Sequence, residues 1–425
     1  MIFNKKYDFT LTANYLFVVY AFFISISMDI TRDIFTLILI LFFLSGNIKD
    51  KLLFAIKDKV VQAFLAFYII HFIWMIGSQS IEVAQYKVSS LRYMLYIIIY
   101  ITMIRSDFVY KILNGFLFGI FFNEIISYLM FIGIKIPFLP YQTTGFANVP
   151  FALSYTQYSI LLSISMGVML YLILTYRQNI YMNILYGFFF VSSSTNIFII
   201  ESKLGYGLYF ISIVTVLIFF VIRNKKYNMI LFTLSLAFFG YLFAYNFSSV
   251  FQVRVNGFVL DAKSALISDN YSTSTGARVG FYHYGFEIFK NNTLFGVGTG
   301  DHINEFIKFI KEKEDDQNNF AGMTGALDLS GSGNLHSEYL DASLQFGILG
   351  LLLFLNIFYQ IMVYDTKNDN IKVINILLPT ILLVVSTVSL VFGYSMLGKM
   401  FTLLTALTLN KYSDIDVNKV KYDNE

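Results

Sequence analysis

Apolar stretches of about 20 residues recur almost from end to end of this chain, each long enough to cross a hydrocarbon core of about 30 Å. Charged residues make up 13% of its 425 positions, where ordinary soluble domains carry about 25%. With 57% hydrophobic residues and a mean hydropathy of +0.65, the chain has too little charge to cover a surface facing water. The bilayer is its solvent, and the predicted fold class is an all-α polytopic membrane protein.

Twelve spans are expected, over 12–30, 34–46, 60–77, 88–104, 109–134, 156–176, 179–200, 204–222, 229–247, 343–363, 372–391 and 396–410, each bounded by charged or polar residues. The second and twelfth are short, and re-entry or merging with a neighbour would change the count by one or two. Lys5 and Lys6 precede an apolar stretch without a small-residue cleavage site, which reads as a retained first helix. The chain has no cysteine, which excludes disulfides, thiolate metal sites and cysteine nucleophiles. A net charge of +3 with no basic run interleaved with aromatics gives no nucleic-acid surface.

Orientation follows from where the cations fall. With both termini cytoplasmic, inner connections hold Lys49, Lys51, Lys57, Lys59, Arg105, Lys111, Arg177, Arg223, Lys225, Lys226, Lys367 and Lys372, and the tail holds Lys411, Lys419 and Lys421. The short outer connections hold Arg32, Lys87, Lys135, Lys203 and Lys399, the asymmetry expected of positive-inside topology. Three regions result: an N-terminal bundle over 1–247, a large periplasmic loop over 248–342, and C-terminal spans with a cytoplasmic tail over 343–425. The loop is far longer than any other connection, a length that usually carries function. Within it, 301–314 place Ile303, Phe306, Ile307 and Ile310 at helical spacing and read as an amphipathic helix near the membrane surface, and 278–290 read similarly. Gly296, Gly298 and Gly300 read as a flexible turn, because neither a preceding strand nor a following Lys-Ser/Thr supports a phosphate cradle. The polar stretch 315–335 reads as a mobile connection.

Several residues in these positions have chemistry to offer. His336, in Asn334-Leu335-His336-Ser337-Glu338-Tyr339-Leu340, stands where the loop enters a span; an imidazole there can take a proton from an attacking hydroxyl, or simply bond to a helix terminus. Arg278 opens the first loop helix, and its guanidinium suits phosphate oxygens or anchorage at lipid headgroups. Lys203 sits at an outer helix junction, either as a substrate cation or as an interfacial lysine paired with Glu201. Glu124 lies inside the fifth span, with Arg92 as its expected partner, in a structural or a substrate-facing pair. Glu338 is a possible orienting group or sugar contact, with a helix-surface acid as the plainer reading. His71 reads as a satisfied bundle histidine, and His283 and His302 as residues of the loop helices. Asp414-Ile415-Asp416 lies in the tail, away from any folded metal site, and no histidine pair has zinc-ligand spacing.

Lys203 after a span, Arg278, Asn292-Thr293-Leu294-Phe295-Gly296-Val297-Gly298, His336-Ser337-Glu338-Tyr339-Leu340 and Gly347-Ile348-Leu349-Gly350 follow in an order that resembles the O-antigen ligase and polymerase superfamily. The resemblance is specific over about 278–351 and elsewhere rests on hydropathy and helix count. It implies a metal-independent membrane glycosyltransferase without cofactor, moving a glycan from an undecaprenyl-diphosphate carrier to an acceptor hydroxyl of lipid A core, or of a second lipid-linked glycan, on the periplasmic side. It also implies His336 as base and Arg278 and Lys203 as the diphosphate grip. Ligases of the family usually have arginine where this chain has Lys203, so the charge is kept and the bidentate fork is lost. One dominant outer loop after the ninth span favours a ligase over a polymerase. A lipid-linked oligosaccharide flippase or other transporter is the third reading, sustained by Glu124 and opposed by the gathering of candidate groups at the outer surface and the lack of a repeat.

Overall fold

The computed structural model describes residues 8–134, 149–151, 153–175, 180–200, 202–313, 323 and 334–414. Lys135, Arg177, Glu201, Lys419, Lys421, Asp416 and most of the 315–335 connection lie outside the described residues.

The structure is all-α, as expected. The first half contains α1 (Phe9–Phe23), α2 (Met28–Leu44), α3 (Ile48–Lys57), α4 (Lys59–Ile73), α5 (Ile81–Ser90), α6 (Tyr96–Met103), α7 (Val109–Phe131), α8 (Tyr155–Thr175), α9 (Ile180–Ile199) and α10 (Lys203–Arg223). Then come α11 (Ile230–Phe247), α12 (Ser249–Ser268), α13 (Ser274–Asn291), α14 (His302–Lys313), α15 (Glu338–Met362), α16 (Ile374–Val385) and α17 (Ser395–Thr408). Local chemistry sets many of the starts. Asp8, Ser27, Asp58, Ser202, Ser248, Thr273 and Ser337 each accept a hydrogen bond from a backbone N–H in the first turn of the helix that follows.

Every expected span has a helix. Among the described residues, five helices are long and apolar enough to cross a membrane: those of α7, α8, α9, α10 and α15. α1, α4 and α16 are shorter apolar helices. α11 turns Leu231, Phe239 and Phe247 outward, 75%, 65% and 77% exposed, a surface that only lipid or another apolar body can satisfy. The expected span 372–391 is cut short, since α16 ends at Val385 and the chain then runs irregularly to Tyr394. Its backbone is used by other elements, as described below.

Ion pairs and hydrogen bonds fix which connections share an end of the bundle. Arg223 pairs with Asp369 at 2.8 Å, Tyr110 donates to Asn368, and Tyr171 donates to the Asp369 carbonyl. Those connections lie at one end; the loop helices and the start of α15 lie at the other.

Two corrections concern the loop. α14 does not lay its apolar stripe on a membrane surface: Ile303, Phe306 and Ile310 are buried in a cluster with Ala277, Phe281, Ile288, Leu335, Leu340 and Leu344. Nor is the glycine turn loose. Val297 and Gly298 donate to the carbonyls of Leu344 and Gln345, Ile348 donates to Thr293, and Trp74 Nε1 donates to the Phe295 carbonyl at 2.8 Å. A Cβ on Gly296, whose φ is +66°, would stand 2.4 Å from the Phe346 nitrogen; one on Gly347, at φ +65°, would stand 2.4 Å from the Leu294 carbonyl carbon. Backbone meets backbone here at a kink in α15, an approach that only glycine permits.

Candidate functional site

The site is built where α13, the strap 334–337 and the connection 386–394 meet. Ser337 caps α15, accepting from the Leu340 N–H, and its hydroxyl reaches the Ser386 carbonyl at 3.1 Å. Tyr282, one turn along α13 from Arg278, places its hydroxyl 2.8 Å from Ser337 Oγ and donates to the Thr387 carbonyl at 2.9 Å. Arg278 donates from Nε to the Val388 carbonyl at 3.0 Å and from Nη1 to the carbonyl and hydroxyl of Ser274. Three successive carbonyls, of Ser386, Thr387 and Val388, thus tie the strap carrying His336 to the helix carrying Arg278.

Arg278 is half-buried, and no carboxylate pairs with it among the described residues. Burial draws its pKa below the usual guanidinium value, opposed by the nearby Tyr155 and Tyr394, yet an arginine stays charged. A desolvated cation without a counter-ion favours an anion.

His336 adopts φ +52°, a left-handed conformation uncommon for a residue with a side chain. Its N–H donates to Asn334 Oδ1 at 3.0 Å, and its ring lies nearly parallel to Phe281 with centroids 6.2 Å apart.

Glu338 is a buried group, not a helix-surface acid. Its Oε2 accepts from the N–H groups of Val391 at 2.7 Å and Phe392 at 3.1 Å, while its own N–H donates to Ser386. It holds the connection 386–394 against the start of α15.

The remaining expectations fare differently. Lys203, the first residue of α10, pairs with Asp261 of α12 at 3.4 Å, both partly exposed, and is not bonded to Arg278 or His336. Glu124 does not pair with Arg92: its carboxylate accepts from the hydroxyls of Ser192 and Ser193, whereas Arg92 sits exposed on a short 3-10 turn with Ser89 Oγ at 3.4 Å. α9 supplies hydroxyls directly beside Glu124, which is why a distant cation is not needed to satisfy its oxygens. His71 is satisfied as expected, its Nδ1 2.7 Å from the Phe67 carbonyl. His283 lies among Tyr271 and Tyr284.

Sequence reading missed a second group beside the strap. Asp341 is buried and accepts from the Leu335 N–H at 3.3 Å through Oδ1; its Oδ2 is 3.3 Å from Lys87 Nζ and 3.4 Å from His302 Nε2. Burial lowers the His302 pKa and outweighs the opposing pull of Asp341, so the imidazole is held neutral. Nearby Asp301 accepts from Ser78 Oγ and from the N–H groups of Gln79 and Ser80, anchoring the glycine turn to the connection before α5. The available signal was an acid five residues after His336 on the same helix start.

The family model described as O-antigen ligase matches residues 188–355, from within α9 to beyond the kink in α15. Over that stretch the chain is similar to the O-antigen ligase family. The matched stretch includes Lys203, Arg278 and His336 and excludes the connection 386–394 that organises two of them. No curated protein matches the chain. Proteins of that family are membrane glycosyltransferase-like enzymes, and the apolar helices of this chain are those of a multi-pass membrane protein.

Proposed function

We propose that this chain transfers a glycan from an undecaprenyl-diphosphate carrier to a hydroxyl of lipid A core, at the periplasmic face of the inner membrane, as an O-antigen ligase. The observation that carries the reading is Arg278. It is a half-buried arginine without a carboxylate partner among the described residues, tied through Val388, Thr387 and Ser386 to the strap that presents His336. The acceptor oxygen bonds to the anomeric carbon as the bond from that carbon to the carrier diphosphate breaks. Negative charge grows on the departing diphosphate, where Arg278 stabilises it, and the hydroxyl proton passes to His336. Lys203 approaches the same diphosphate from the start of α10. Glu338, through its bonds to the Val391 and Phe392 N–H groups, fixes the backbone that orients Arg278.

The description of the matching family and the one dominant loop favour ligation over polymerisation. The test is the lipopolysaccharide gel of a strain lacking the gene. The expected pattern is unaltered core with lipid-linked polymer accumulating. Core bearing a single repeat would identify a polymerase, and an unchanged ladder would contradict both.

A further inference from the structure

Asp341 divides its two oxygens between different tasks. Oδ2 faces Lys87 from α5 and His302 from the start of α14, so the carboxylate can be buried without standing as a lone charge. Oδ1 faces the other way and accepts the N–H of Leu335, the residue before His336. That bond acts with others that fix the strap, among them the His336 N–H to Asn334 Oδ1, the Ser337 hydroxyl to the Ser386 carbonyl and the contact of Tyr282 with Ser337. The strap needs fixing because His336 is left-handed at φ +52°, where an L side chain is strained and an unrestrained backbone would relax toward negative φ. Leu335 itself is buried, and its relaxation would carry the imidazole with it.

Resting on the reading of His336 as the base, we propose that Asp341, charge-compensated by Lys87, is a positioning residue that holds the Leu335–His336 strap in the conformation presenting the imidazole to the acceptor. The pair is an expensive way to gain stability, because replacing a buried ion pair by apolar groups of similar volume is often neutral or stabilising. It is an economical way to hold one backbone N–H at a fixed place beneath the base. Lys87 precedes Asp341 by 254 residues, so the contact also pins α5 to the start of α15.

The test uses full-length purified protein, lipid-linked donor extracted from a strain lacking the gene, and binding of undecaprenyl diphosphate read by thermal shift. The central variant is Lys87→Met with Asp341→Leu, which removes both charges and leaves neither uncompensated. A misplacement of about 1 Å at a catalytic group can cost about 10²-fold, so kcat should fall by about that factor, with donor KM and Tm near those of the parent. Lys87→Arg keeps the pair and should retain kcat within about threefold. Parental kcat in the double variant overturns the inference, as does a double variant that does not fold, which would make the pair a folding element. Loss of kcat in Lys87→Arg with unchanged binding overturns it as well. His336→Gln separates the two claims. If that variant keeps the parental rate, the base assignment itself fails; if it loses the rate while the double variant keeps it, only the role of Asp341 fails.

Discussion

At the scale of the residue, Arg278 differs from Lys203 in having no carboxylate beside it among the described residues. Lys203 has one in Asp261, at 3.4 Å and with both side chains partly exposed. An exposed pair of this kind contributes about 0–1 kcal/mol, so a diphosphate carrying more charge than one carboxylate can displace it. If Lys203 joins Arg278 in holding the donor, Lys203→Ala should raise donor KM by about tenfold, about the loss of one charge-assisted hydrogen bond, and Lys203→Arg should keep it. Asp261→Asn, by releasing the ammonium, should lower it. Unchanged KM in Lys203→Ala would leave the lysine an interfacial partner of Asp261 and nothing more.

At the scale of the element, the spans were legible because charged residues bracket them and lipid imposes their length. α3 and α5 escaped notice because each is 10 residues long with charges interspersed, too short and too polar to register as a span. The candidate site was legible in part. Arg278 and His336 stand out because a guanidinium and an imidazole have few reasons to gather at a loop face. The connection 386–394 was invisible for a physical reason: its contribution is made by the carbonyls of Ser386, Thr387 and Val388 and the N–H groups of Val391 and Phe392. Backbone groups belong to every residue and leave no mark in a sequence. The glycine turn misled for a related reason. Glycines permit mobility and close approach alike, and only the partners at Gln345 and Phe346 decide between them. Lys87 was counted as one more outer charge because its partner lies so far along the chain.

At the scale of the whole molecule, the bundle sorts its polar chemistry to two ends. The Arg223–Asp369 pair joins two connections expected to be cytoplasmic, and the strap, the glycine turn and α13 occupy the opposite end. Reporter fusions at Asn224 and Asn368 should therefore report the same compartment, the cytoplasm, and a fusion at Asn318 the periplasm. A cytoplasmic result at Asn318 would invert the topology and remove the periplasmic site with it. The central claim is that the loop end of this bundle performs glycan transfer with His336 as base. The rate of transfer by purified His336→Gln, with undecaprenyl-diphosphate binding measured on the same sample, tests it most directly. General-base assistance is worth about 10²–10⁴-fold, so the account predicts a loss of that order with binding intact; transfer within a few-fold of the parent rate would contradict it.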